Sequence, residues 1–163
     1  MEKDYKKPLD IGIFYIQSGR YKTGLEHIEE SLAIKNDWDI PYFYRAVAYE
    51  ALGEYDNAIL DYTKALSINN KITDAYYNRA HIILSRKDIE NPNIDKAVED
   101  LNKALELDPE FIDALYAMAA AQLKLKNYEK SLEYLEKLLS LRPEALNARA
   151  LKKLLLNKYI PMH

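Results

Sequence analysis

The chain contains no cysteine, which excludes disulfides, thiol catalysis and cysteine-based zinc sites. Four glycines and six prolines among 163 residues leave little of the turn chemistry that an all-β fold demands. No apolar run approaches the roughly 18 residues of a membrane span, and the opening MEKDYKKPLD has no apolar h-region. The expected location is therefore cytoplasmic. A net charge of −3 argues against a surface built for nucleic-acid phosphates. No G-x-G-x-x-G or P-loop pattern occurs, and His27, His81 and His163 form no recognisable triad or metal set. The expectation is a protein that is not an enzyme and carries neither cofactor nor metal.

What is present is a globular balance, 48% hydrophobic and 30% charged, with a marked aromatic bias: 14 Tyr against 3 Phe and 1 Trp. A 34-residue step separates Gly19 from Gly53, Tyr21 from Tyr55 and Leu32 from Leu66, and again Leu105 from Leu139 and Pro109 from Pro143. Between these sets the step is 39, as from Leu66 to Leu105 and from Ala75 to Ala114. Four copies of one unit follow, about 5–38, 39–72, 73–111 and 112–145, with five residues added inside the third.

Each copy reads as two amphipathic helices joined by a tight turn. In the second copy, Tyr42, Arg45, Ala46, Tyr49 and Leu52 recur at three or four residues, and Ala58, Ile59, Tyr62, Ala65 and Leu66 do likewise. Gly53 ends the first of these helices because glycine takes the left-handed conformation without a Cβ clash. In the fourth copy Asn127 is expected in that role, as residue and as cap of the next helix. Thr73 is expected to cap the helix it opens. Small residues recur where paired helices must approach: Gly12, Ala46, Ala80 and Ala119 in the first helices, Gly24, Ala58, Ala97 and Ser131 in the second. Arg45 and Arg79, also 34 apart, are expected to pack their stems between repeats and reach a neighbouring carboxylate.

With AYYNRAHIIL (75–84) and KAVEDLNKALELDPEF (96–111) close to its consensus wording, the chain resembles the tetratricopeptide repeat family over about residues 5–145. Pro8, Leu138 and the longer third turn depart from the usual pattern. The resemblance implies an all-α fold: a right-handed α-α superhelical solenoid of four helix-turn-helix repeats, one domain over 1–163, closed by a C-terminal capping helix at about 143–158. In that cap Leu146, Ala150, Leu151, Leu154 and Leu155 are expected to cover the last pair, while Asn147, Lys152, Lys153 and Asn157 face water.

In similar proteins the first helix of each pair lines a concave groove, which makes this chain an expected adaptor for protein–protein interaction. The stripe left free by packing comprises Leu9, Ile13 and Gln17, then Phe43, Tyr44 and Val47, then Tyr77, Asn78 and His81, then Tyr116, Ala117 and Ala120. Asp10, Glu50, Asp74 and Asp113 stand at its edge against Lys6 and Lys124. Tyr offers a large contact area with few rotors and a polar tip. The expected ligand is an extended or helical protein segment with apolar anchors and some basic residues, and no nucleic acid.

One subclass of the family clamps the acidic tails of heat-shock chaperones with Lys, Asn and Arg. The matching positions here are Leu9, Ile13, Tyr44, Asp74 and Asn78, and an Asp in place of a Lys would repel that ligand. His27 with Glu30 reads as a solvated i, i+3 pair rather than a metal site. The five added residues, within 85–95, read as a tolerated surface insertion. Only four residues precede the first pair, so Ile11 and Phe14 are expected on an uncovered face that pairs with another chain, a second copy of this one included. A homo-oligomeric scaffold assembling through its end faces is the alternative function.

Overall fold

Helix and turn alternate along the chain at the spacing its apolar residues set. The computed structural model describes residues 4–86 and 93–159, and among these every regular element is a helix. In order they are α1 (Lys6–Gln17), α2 (Tyr21–Ile34), α3 (Asp39–Ala51), α4 (Tyr55–Ile68), α5 (Thr73–Ser85), α6 (Ile94–Leu107), α7 (Ile112–Lys124), α8 (Tyr128–Leu141) and α9 (Leu146–Lys158). The chain divides into two compact units, Met1–Ala75 and Tyr76–His163. The insertion of the third copy falls largely on 87–92, and His163 on the last four positions, both outside the described residues.

In the first unit α1 packs along α2, α2 along α3, and α3 along α4. Leu9, Ile16, Ile28 and Ala48 form its buried centre, with Ile13, Tyr44, Val47 and Trp38 packed against them. The closest approach is at the two helical glycines. A Cβ on Gly12 would stand 2.8 Å from Ile28 Cδ1 and 3.1 Å from the Gly24 carbonyl oxygen. A Cβ on Gly24 would stand 2.5 Å from Ile16 Cγ1 and 3.0 Å from the Gly12 carbonyl oxygen. No side chain fits there.

The second unit repeats the scheme with alanine in place of glycine. Ala80, Ala97, Leu101, Ala104, Ala114, Ala117, Met118 and Ala121 form one buried cluster, and Leu115, Ala119, Leu135, Leu138, Ala148 and Leu155 a second. At the α7–α8 crossing the buried Ser131 hydroxyl donates to the Ala119 carbonyl at 2.7 Å, so the small residue of the pattern also makes a bond.

Three turns close in the same way. Gly19 N–H donates to Ile16 O and Arg20 N–H to Tyr15 O, at 3.0 and 2.8 Å. Gly53 and Glu54 donate to Glu50 and Tyr49, and Lys126 and Asn127 to Leu123 and Gln122, in the same register. This is the Schellman closure, which needs a left-handed residue at its centre. Gly19 and Gly53 hold φ of 76° and 77°. In the third of these turns the left-handed residue is Lys126, with φ of 61°, and not Asn127 as the sequence suggested. Asn127 sits one place on, with φ of −87° and no side-chain cap bond; its amide instead donates to Gln122 Oε1 at 3.0 Å.

Each repeated arginine ties the two helices of its pair together. Arg45 on α3 makes two bonds to Asp61 on α4, at 2.6 and 2.9 Å. Arg79 on α5 makes two to Asp100 on α6, both at 2.7 Å. The planar guanidinium matches the carboxylate edge, which explains why lysine does not occupy these positions.

Helix α9 departs from the expected cap. Its packed side consists of Ala148 and Leu155, with Leu151 and Lys152 half-buried, and Lys152 reaches Glu136 on α8 at 2.9 Å. Leu146 is 75% and Leu154 45% exposed, and Ala150 is exposed as well. At 100° per residue Leu146, Ala150 and Leu154 lie across the helix from Ala148 and Leu155, so both sets cannot face α8 together.

Candidate functional site

The candidate surface of the first unit is built on α1 and α3. Phe43, Tyr44 and Val47 lie within one helical turn on α3, so their side chains share a face. All three are half-buried, as is Ile13 on α1. The Phe43 ring meets Tyr44 edge-on at 5.4 Å and rests at 5.9 Å from Tyr62, which is fully buried and donates its hydroxyl to Glu50 at 2.9 Å. A fixed floor thus supports the exposed edge of Phe43. Leu9 does not belong to this surface: it is 4% exposed and packs with Ile16, Ile28 and Ala48. The reason is register, since Leu9, Gly12 and Ile16 at i, i+3 and i+7 form the α1 stripe buried against α2.

Beside this surface Arg45 lies within 5.6 Å of the Tyr42 ring and 5.9 Å of the Tyr49 ring. Its bond to Asp61 holds the guanidinium above its ordinary pKa, and burial pushes the Tyr49 phenol up. Both groups are locked in their protonated forms.

Asp74, Tyr77, Asn78 and His81 share one face of α5, of which Tyr77, Asn78 and His81 belong to the second unit, and Asp113, Tyr116 and Ala120 share one face of α7. Tyr77 stacks on His81 at 5.8 Å and lies 5.0 Å from Phe111. Tyr116 is 36% exposed, His81 is exposed, and Tyr77, Asn78 and Ala120 are half-buried. Ala117, on the neighbouring stripe, belongs to the core. Asp74 and Asp113 are exposed and make no ion pair among the described residues. Phe111 is the residue that periodicity missed. It precedes α7 as its N-cap, outside any helical repeat, and only the Pro109-x-Phe111 spacing hints at it.

On the outer face of the first hairpin, Phe14 is 64% exposed and Ile11 half-buried. Phe14 meets Tyr15 edge-on at 5.7 Å, Tyr15 stacks on His27 at 5.7 Å, and His27 Nδ1 pairs with Glu30 at 3.1 Å. A groove of about 480 Å³ beside them is lined by Asp4, Lys7, Pro8, Ile11, Glu30, Ala33 and Ile34. Among the described residues no three His, Asp or Glu converge as a metal site, and no helix is long and apolar enough to cross a membrane.

Against known families, residues 41–71 match the tetratricopeptide repeat model, 90–126 a second model of that repeat, and 112–160 the Fis1 C-terminal tetratricopeptide repeat. The chain belongs to the tetratricopeptide repeat family. Among its curated relatives, human sperm-associated antigen 1 is 37% identical over 113 residues, 69% of this chain and 12% of that protein. Human tetratricopeptide repeat protein 12 is 35% identical over 94 residues, 58% of this chain and 13% of that protein. The match thus spans only about an eighth of these relatives' length. Among solved structures, MamA from Desulfovibrio magneticus RS-1 superposes with a TM-score of 0.85 at 20% identity, covering 96% of this chain and 86% of that one. PilF of Pseudomonas aeruginosa gives 0.78 at 21%, covering 94% and 68%. These structures share the all-α repeat-solenoid fold of this tetratricopeptide protein. Family membership makes the chain a repeat scaffold for protein interaction.

Proposed function

We propose that this tetratricopeptide chain is an adaptor that captures a partner's polypeptide segment on the aromatic faces of its first helices. On α5 and α7 the contact residues are Tyr77, Asn78, His81, Tyr116 and Ala120, with Asp74 and Asp113 at the edge. On α1 and α3 they are Ile13, Phe43, Tyr44 and Val47. The observation that carries the reading is that Tyr44, Tyr77 and Tyr116 each remain within reach of solvent while their helices are already packed on the other side. Partly exposed phenol rings on rigid helices offer contact area at small entropic cost.

Chemistry narrows the ligand. Apolar and aromatic walls accept Leu-, Phe- or Met-like anchors, and two unpaired carboxylates favour basic flanks and disfavour acidic tails. The proposal is of binding without turnover. The test is capture of basic-apolar peptides on an array by the wild type and by the double variant Tyr77→Ala with Tyr116→Ala. Loss of capture in a variant that keeps its helical content supports the reading; undiminished capture refutes it.

A further inference from the structure

Helix α9 is apolar on two sides. Ala148 and Leu155 face α8, yet Leu146, Ala150 and Leu154 form a second stripe at i, i+4 and i+8 that nothing among the described residues covers. A helix apolar on opposite faces belongs between two neighbours rather than at a wet boundary. The same helix carries Arg149, Lys152, Lys153 and Lys158 and no carboxylate. Lys152 is paired with Glu136. Arg149 and Lys153, one turn apart beside the leucine stripe, are exposed and make no ion pair among the described residues.

The middle of α2, on the outer face of the first hairpin, carries the opposite charge. The groove on that face offers Pro8, Ile11, Ala33 and Ile34, and Phe14 stands on the same side of α1 as Ile11. Along α2 the exposed Glu26, Glu29 and Glu30 outnumber the single cation Lys22; Lys7 adds one positive charge at the groove rim, and Lys6, Arg20 and Lys35 stand at the helix ends of the same hairpin.

We infer that a second copy of this chain fills that groove, seating the Leu146–Leu154 stripe of its α9 against Ile11, Phe14 and Ile34, with Arg149 and Lys153 facing Glu26 and Glu30. The charges select this pairing over the two symmetric ones. Two α9 helices would bring cation against cation, and two first hairpins would set the Glu26, Glu29 and Glu30 side of one α2 against the same side of the other. The contact is therefore head-to-tail, each copy using a different face toward each neighbour, and growth beyond a dimer is open to it. This surface is separate from the aromatic faces proposed to hold a partner segment, so the two proposals fail independently.

The test is sedimentation velocity of the full chain across a concentration series at low and high salt. The mass is expected to rise with concentration and the association to weaken as salt screens the flanking charges. Phe14→Asp and Leu154→Asp each abolish self-association, both positions being exposed, and circular dichroism checks that the helices persist. Mixing the two variants restores one intact interface, the α9 of the first in the groove of the second, and yields a discrete heterodimer. Glu30→Lys alone weakens assembly several-fold, and adding Lys153→Glu to the same chain recovers it. A monomer at every concentration overturns the inference. So does assembly that survives Leu154→Asp, or a variant mixture that stays monomeric.

Discussion

Asp100 meets Arg79 where water scarcely reaches, with side-chain exposures of 3% and 11%. Removing one partner of such a pair leaves a buried charge without compensation, which costs about 3–5 kcal/mol. Asp100→Ala is expected to lose that much in urea denaturation, while Arg79→Met combined with Asp100→Leu loses far less. The equivalent Asp61→Ala is expected to cost less than Asp100→Ala, because Arg45 is 23% exposed and water can take over part of the contact. Lys126 gives the opposite expectation. It holds φ of 61° in a turn whose two counterparts hold glycine at 76° and 77°. Left-handed geometry strains a residue with a Cβ, and glycine's greater freedom when unfolded offsets part of the gain. Lys126→Gly should therefore stabilise the chain by about 0.5–1 kcal/mol, read as a raised denaturation midpoint.

At the scale of the helix pair, α1 and α2 touch through two glycines rather than through side chains. Alanine is the better helix former by about 1 kcal/mol, but a methyl at Gly24 meets Ile16 Cγ1 at 2.5 Å and backbone on a second side. Overpacking of this kind costs about 1–3 kcal/mol, so Gly24→Ala is expected to destabilise on balance, and more than Gly12→Ala, whose nearest contact is the movable tip of Ile28. Thermal melts of the two variants check the order. This crossing was legible in the sequence, since a row of small residues at fixed spacing has few other meanings. The left-handed Gly53 and its counterpart Gly19, and the engagement of Arg45 and Arg79 with a carboxylate, were legible for the same reason: each repeats, and repetition separates signal from accident. Which carboxylates they meet, Asp61 and Asp100 within their own pairs, came from the structure. What was not legible lies where repetition fails. Leu9 and Ile13 both look like groove residues until the α1 register puts one of them under α2. Phe111 precedes its helix and escapes the 3.6-residue pattern. In α9 the leucines occur on both sides, so periodicity alone did not say which side packs, and the expected cap took in Leu146 and Leu154, which the structure leaves exposed.

For the molecule as a whole, α3, α5 and α7 share one division of labour. Part of each helix is committed to the core, and neighbouring positions that include larger, partly exposed rings are left over. In α7 the committed stripe runs through Ala114, Met118 and Ala121, while Tyr116 and Ala120 stand beside it. In α3 Pro41 and Ala48 mark one buried side and Ala46 another, with Phe43, Tyr44 and Val47 between them. A stability role for these rings and a binding role differ in a measurable way. If Tyr77 and Tyr116 served packing alone, truncating them would lower the denaturation midpoint and leave peptide affinity intact in whatever fraction remained folded. If they hold a partner, affinity falls by more than the folded fraction does, because aromatic anchors in an interface carry a disproportionate share of its energy.

The most direct measurement is titration of basic-apolar array hits against the wild type and the Tyr77→Ala, Tyr116→Ala double variant, by isothermal calorimetry below the melting transition of both. The account predicts a loss of affinity of about 2 kcal/mol or more with the folded fraction unchanged and with Phe14→Asp binding as the wild type does. Equal affinity in the wild type and the double variant would contradict it.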